Sequence, residues 1–190
     1  MNYTDKQLLD KIKSLPTYNR GKGNALIIGV QSKIQGDDSF NDKFYVYNDA
    51  DKFVIATTGT TNCGQSALKN YGKFGLKGAA VWKTNQFYEG LYRLGFHKGK
   101  MPALIQQKPI ALFRDSDKDN IPEQEGIEFN DIIGANFHGV SYNIDSDKLI
   151  NQIGEWSYAC PVCNNMRHYR SIINFAKKYS FIDYCLLNEF

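Results

Sequence analysis

The stretch that decides the fold is residues 134–163, GANFHGVSYNIDSDKLINQIGEWSYACPVC. It places His138, one of three histidines, in an alternating run over residues 135–142 that predicts a strand. In that run Phe137 and Ser141 share one face, while Asn136, His138 and Val140 share the other. Cys160 follows in the turn Ser157-Tyr158-Ala159-Cys160, just past Trp156. A thiol becomes a nucleophile at neutral pH only with a base beside it, and imidazole is the usual one. A strand histidine and a turn cysteine can meet across such a connection, so the pair reads as a nucleophile with its base. Read as packing alone, Cys160 and Cys163 are small apolar residues at the mouth of the last helix. The residues by themselves leave both readings open.

Working outward, 190 residues with 42% hydrophobic and 14% aromatic side chains are enough for one folded domain over residues 1–190. Abundant Tyr and Phe, frequent Gly and short apolar runs point to a mainly β fold with flanking helices, of α+β type. A first helix is predicted over residues 4–14, capped by Thr4, with Leu8, Leu9 and Ile12 on its apolar face and Pro16 as its stop. Strands are predicted over 25–30, over 43–47 and 52–57 around Asn48-Asp49-Ala50-Asp51, and over 79–83. Residues 86–94 fit helix or strand. Residues 103–106 and 109–114 read as a strand pair turning at Gln107-Lys108. Asn164 or Asn165 caps a late helix over 166–179, with Met166, Tyr169 and Ile173 inward, and a final strand covers 181–187.

A net charge of +3 with scattered Lys and Arg argues against nucleic acid as a partner. The opening MNYTDKQLLDKIK lacks the apolar core of a signal peptide, and no run approaches the ~20 apolar residues of a membrane span. Synthesis in a reducing cytoplasm is therefore expected, with Cys63, Cys160, Cys163 and Cys185 as free thiols. Cys160-Pro161-Val162-Cys163 is half of a zinc site, but no second CxxC or HxxxH completes it, so zinc is not expected. A zinc deaminase would need Glu where Val140 stands, and a redox CxxC would follow the first strand of a βαβ unit. Asp115, Asp117 and Asp119 alternate like the first half of a calcium loop, although the twelfth position is Gly126 rather than Glu. Calcium at these three carboxylates is weighed against a plain solvated turn. His97, Lys98 and Arg114 are the basic residues proposed to receive a substrate carboxylate.

Three motifs occur in a telling order: Thr58-Gly59-Thr60-Thr61-Asn62-Cys63-Gly64, then His138-Gly139, then Ser157-Tyr158-Ala159-Cys160. In this they resemble the TG…TPxG stretch, strand histidine and SxGC turn of cysteine/histidine L,D-transpeptidase catalytic domains. The chain is also similar to phage-borne proteins with a TGTTNPG loop, a GxHxGKxPALxQ segment, a GINxH strand and a WSAGCQV turn. That similarity runs from the first helix to Leu186-Leu187-Asn188-Glu189-Phe190. The resemblance implies a transpeptidase-like β-sandwich with an N-terminal helix and a late helix followed by a final strand. It implies a cysteine transpeptidase or peptidase acting on peptidoglycan stem peptides, phage-encoded and working at the bacterial cell wall or in the virion. Cys160 would attack, His138 would move the proton, and the N–H groups of Ala159 and Cys160, in the turn opened by Ser157, would hold the oxyanion. The alternatives are a non-enzymatic phage tail or virion component that keeps the fold, and a zinc-stabilised binding module on Cys160 and Cys163. Ala159 replaces the family's Gly, which costs about 1 kcal/mol if the turn needs a positive φ. Pro161 brings no N–H to the site, and Arg167 lies beyond the position of the family's carboxylate-binding Arg.

Overall fold

The computed structural model describes residues 2–190. Helix α1 (Asp5–Lys13) starts at a capping box: the Thr4 hydroxyl accepts from the Gln7 N–H and the Gln7 side chain returns to the Thr4 backbone. Leu8 and Ile12 form its buried stripe. Strands β1 (Ala25–Gln31), β2 (Asp42–Tyr47) and β3 (Phe53–Thr60) follow, close to their expected limits. Next come the unanticipated helix α2 (Gln65–Asn70), a 3-10 turn over Tyr71–Phe74, and strand β4 (Ala79–Trp82). Strand β5 (Gln86–His97) settles the ambiguous segment, and β6 (Met101–Gln106), β7 (Ile110–Asp115) and β8 (Phe129–Asp131) come after it. Two very short strands, β9 (His138–Gly139) and β10 (Val162–Cys163), precede helix α3 (Met166–Ala176) and strand β11 (Ile182–Asn188). The protein is mainly β, as expected.

Eight strands form one mixed sheet in the order β6-β5-β11-β1-β2-β3-β10-β9. The last strand in sequence, β11, sits in its interior, parallel to β1 with Ala25 opposite Ile182. The two outer strands also meet. Leu104 and Phe137 exchange backbone hydrogen bonds of 3.0 and 2.9 Å, so the sheet curls until its edges close on each other. A smaller sheet, β4-β7-β8, packs beside it. Residues 103–106 and 109–114 are therefore not a pair: β6 bonds to β5 in the large sheet and β7 to β4 and β8 in the small one. The chain changes sheets at Gln107, whose N–H is held by the Leu91 carbonyl at 2.8 Å. Both strands bury apolar residues, and burial alone does not specify which neighbour each one takes.

One apolar cluster joins the two sheets and α3, including Phe44, Trp82, Leu104, Leu112, Phe137 and Tyr169. The run over 135–142 contributes only two strand residues because its surroundings are crowded on both sides. Phe137 packs edge-on against Phe44 at 4.9 Å, and α3 lies directly over β9. A Cβ on Gly139 would stand 2.6 Å from the Met166 sulfur and 2.7 Å from the Tyr169 ring, so only glycine admits the helix this close. Asn165 caps α3 by accepting from the N–H groups of Arg167 and His168. Among the described residues, no helix is long and apolar enough to cross a membrane.

Candidate functional site

The site lies at the seam where the large sheet closes. His97 ends β5 opposite Met101 of β6, and the hairpin beyond it turns through Lys98 at φ +51° and Gly99 at φ +68°. His138 lies on β9 opposite Val162 of β10, and its N–H donates to the Pro161 carbonyl at 3.1 Å. Cys160 immediately precedes that proline. The result is a cluster of His97, His138 and Cys160 in which one ring nitrogen of each histidine and the sulfur all lie within 4.8 Å of one another.

The hydrogen bonds fix which nitrogen does what. His138 Nδ1 lies 2.8 Å from the Gly139 carbonyl oxygen, which can only accept. Nδ1 therefore carries the proton and Nε2 keeps its lone pair. The two histidine rings stack, 4.4 Å between centroids and 29° apart in plane. At His97 the logic inverts. Asn136 Oδ1 accepts from the Gln106 N–H at 3.0 Å, so its Nδ2 must be the atom facing His97 Nδ1 at 3.1 Å. His97 Nδ1 thus accepts, and the neutral ring presents Nε2–H as a donor. The Gly139 backbone carbonyl orients His138, and Asn136 orients His97.

Burial pushes the Cys160 thiol up to about 11, against a lowering hydrogen bond from the Asn136 backbone and the nearby Lys98 charge. Burial likewise pulls His138 down to about 3, with the Gly139 carbonyl working the other way. His97 is lowered by burial and then by Lys98. Moving the proton from sulfur to nitrogen across that gap costs on the order of 10 kcal/mol. Attraction between unit charges ~4 Å apart returns only ~4 kcal/mol in a protein environment. The resting pair is thiol and imidazole. The thiol hydrogen points to the Gly134 carbonyl, 3.7 Å from the sulfur.

The Cys160 turn is built by tertiary anchors. Ser157 is fully buried, and its hydroxyl lies 2.9 Å from the Asn62 carbonyl and 2.8 Å from the Cys160 carbonyl. It ties the turn to the Thr-Gly loop and has no surface to offer a substrate. The Gly64 N–H donates to the Ser157 carbonyl at 2.9 Å, and Trp82 Nε1 donates to the Ala159 carbonyl at 2.7 Å. Ala159 is not among the positive-φ residues, so the turn carries no glycine requirement there. The loop is itself pinned from below. Buried Asp42 accepts from the N–H and hydroxyl of Thr61, at 2.6 and 2.7 Å, and from the Ser32 N–H at 2.7 Å. Burial raises its carboxyl to about 6 despite those bonds.

A cleft of about 350 Å³ opens beside the cluster, lined by His97, Lys98, Met101, His138, Tyr142, Glu155 and Trp156. Cys160 is 8% exposed and does not line it, so a substrate carbonyl must displace part of that wall to reach the sulfur. Lys98 borders the cleft. Arg114 does not: it borders a separate cavity on the small sheet with Asp115, Asp117 and Glu123. Cys163 lies beside Thr57 Oγ1 at 3.4 Å and donates to the Asn165 carbonyl at 3.3 Å, away from any metal-like group among the described residues. The third histidine, His168 on α3, bonds Thr57 at 3.1 Å. Trp82 and the cleft residues Tyr142, Glu155 and Trp156 were not legible as site residues, because each reaches the site only through tertiary packing.

No family model, curated protein or solved structure matches the chain. What the site can do chemically rests on its own geometry. A buried thiol, an imidazole with a free Nε2 and a second imidazole offering Nε2–H suit acyl transfer. The same three side chains are also the donor types that bind zinc. In the tautomer that the Asn136 contact selects, His97 Nδ1 accepts and Nε2 carries the proton, so ligating a metal would require the ring to give up that contact or that proton.

Proposed function

We propose that the protein is a peptidoglycan-directed cysteine transpeptidase or peptidase that forms an acyl-enzyme with cell-wall stem peptides on a transpeptidase-like β-sandwich. The observation that carries this reading is the hydrogen bonding of His138: Nδ1 is committed to the Gly139 carbonyl, which leaves Nε2 as the basic nitrogen of a ring that clusters with the Cys160 sulfur. Cys160 Sγ bonds to the scissile carbonyl carbon as its proton passes to His138 Nε2. The C–N bond then breaks, and the same proton leaves on the departing amine. An incoming amine in the transpeptidase case, or water in the peptidase case, attacks the thioester and gives a proton to His138; the C–S bond breaks, and His138 returns that proton to the departing Cys160 sulfur. The N–H groups of Ala159 and Cys160 serve the oxyanion. His97 and Lys98 hold the substrate's polar end at the cleft. The stem-peptide substrate and the phage setting come from the motif resemblance.

Incubation with a synthetic stem tetrapeptide and an acceptor amine tests this reading by intact-mass detection. The expected result is a transient mass gain on Cys160 and a new amide or a trimmed peptide, both lost in Cys160→Ala. Neither species forming with a folded protein would overturn it. A second reading is favoured by one observation: the sulfur is buried behind the cleft wall. Under that reading the protein is a phage virion or tail component that keeps the fold without turnover, and it would co-sediment with particles while giving no acyl-enzyme.

A further inference from the structure

The acidic segment after β7 arranges its carboxylates differently from the pattern of alternate aspartates. Lys118 takes a positive φ of 67°, and the chain folds back so that the Glu123 N–H donates to Asp115 Oδ2 at 3.0 Å. This return brings Glu123, and not Asp119, to the other carboxylates. One oxygen each from Asp115, Asp117 and Glu123 lie within 4.8 Å of one another. Asp119 instead accepts from the Ile121 N–H.

A second observation points to a missing positive partner. Asp115 is 7% exposed, and its Oδ1 is buried with no hydrogen-bond partner. An orphaned carboxylate oxygen costs ~1–3 kcal/mol or more, and native structures seldom leave one without a reason. This residue forms part of the wall of a cavity of about 310 Å³ that also receives Asp117, Glu123 and Glu125. Its carboxyl is raised by burial and then by the negative charges of Asp117 and Asp119, against hydrogen bonds from the Glu123 and Asp117 backbones. Among the described residues of the lining, Arg114 is the one cation, and its guanidinium reaches the Gly78 carbonyl at 3.5 Å.

We propose that Asp115, Asp117 and Glu123 bind a divalent cation of the calcium class, which joins the end of β7 to the returning acidic loop. Calcium takes several carboxylate oxygens in flexible geometry, whereas magnesium demands near-ideal octahedral coordination and is usually held by one or two carboxylates, so three carboxylates favour the larger ion. With three carboxylates and an open cavity, water completes the shell, and affinity falls in the weak range of ~10⁻⁴–10⁻³ M. The role is structural. The loop presents Asn120 and Pro122 to the same small cavity as Asn62 and Cys63 of the Thr-Gly loop, so bracing it stiffens the support of the Cys160 turn.

Calorimetric titration of chelator-treated protein with calcium chloride, repeated with magnesium chloride, tests the site. Saturable calcium binding is expected, weakened about ten-fold or more by Asp117→Asn and by Glu123→Gln, and changed less than about two-fold by Asp119→Asn. Calcium should also raise the melting temperature of wild type and not of Asp117→Asn. No heat at millimolar calcium, an equal loss in Asp119→Asn, or tighter binding of magnesium would each overturn the assignment. The titration reads metal binding whether or not Cys160 is acylated, and the acylation assay reads Cys160 whether or not calcium binds, so this claim and the enzymatic one fail separately.

Discussion

Two buried polar clusters sit on the same large sheet and are satisfied in opposite ways. On β11, Asp183 is fully buried and accepts from Arg20 Nη1 at 2.7 Å, the Gly21 N–H at 2.8 Å, Asn24 Nδ2 at 2.7 Å and the Gly90 N–H at 2.7 Å. Both carboxylate oxygens are used, and Arg20 continues to the Ala25 and Asn48 carbonyls at 3.3 and 3.1 Å. That cluster locks the N-terminal loop onto the β11–β5 pairing at its register shift. At the seam, by contrast, His138 has one nitrogen committed and one free, His97 likewise, and the Cys160 thiol donates only a weak bond of 3.7 Å. A fully satisfied network stabilises one structure. A partly satisfied one keeps donor and acceptor capacity for something that arrives.

The contrast can be broken at its structural end first. Asp183→Ala leaves the Arg20 guanidinium, 14% exposed, without its buried partner, and is expected to cost ~3–5 kcal/mol. Urea denaturation would show the loss, while acylation of Cys160 per folded molecule stays unchanged. A loss below ~1 kcal/mol would mean that solvent reaches this network and that the distinction between the two clusters is false.

A smaller effect sharpens the other end. His138 is held at about 3 in the folded protein, below the ordinary 6.5. Between those values the unfolded chain binds a proton that the native state refuses. Stability from this group is therefore complete above pH 6.5 and is lost as pH falls, by up to ~1.4 kcal/mol per pH unit. His138→Gln removes the titration, so its urea midpoint should fall less between pH 6.5 and 4.5 than that of wild type. Asp42, raised from 3.8 to about 6, acts in the opposite direction, losing stability as pH rises through that range, but it does so in both proteins and cancels in the comparison. Equal acid sensitivity in the two proteins would show that His138 is solvated rather than buried neutral.

Much of this arrangement was legible from local chemistry. The Thr4 box, the Asn165 cap, the apolar face of α3 and the proximity of His138 to Cys160 follow from short-range pattern and turn residues. What escaped was decided by long-range pairing. The partners of β6 and β7 differ although both strands bury similar side chains, because sheet membership is fixed by backbone bonds such as Gln107 to Leu91. The tautomer of His97 depends on Asn136 being turned by the Gln106 N–H across the closing seam. The acidic loop returns Glu123 rather than Asp119 because Lys118 adopts a left-handed conformation, which alternating aspartates do not encode. The Ala159 substitution, costly if a positive φ were needed, is tolerated because the turn is held by Trp82 and Ser157 in ordinary backbone geometry.

The measurement that bears most directly on the Cys160–His138 pair is the rate of acylation by a carbapenem, mapped by peptide mass spectrometry in wild type and His138→Ala. Cys63, whose thiol burial pushes up to about 12, and Cys185, also raised by burial, serve as internal inert thiols. The expected result is labelling concentrated at Cys160 and slowed about 10²–10⁴-fold in His138→Ala. Labelling of Cys160 no faster than of Cys63 or Cys185, or unchanged in the variant, would contradict the dyad.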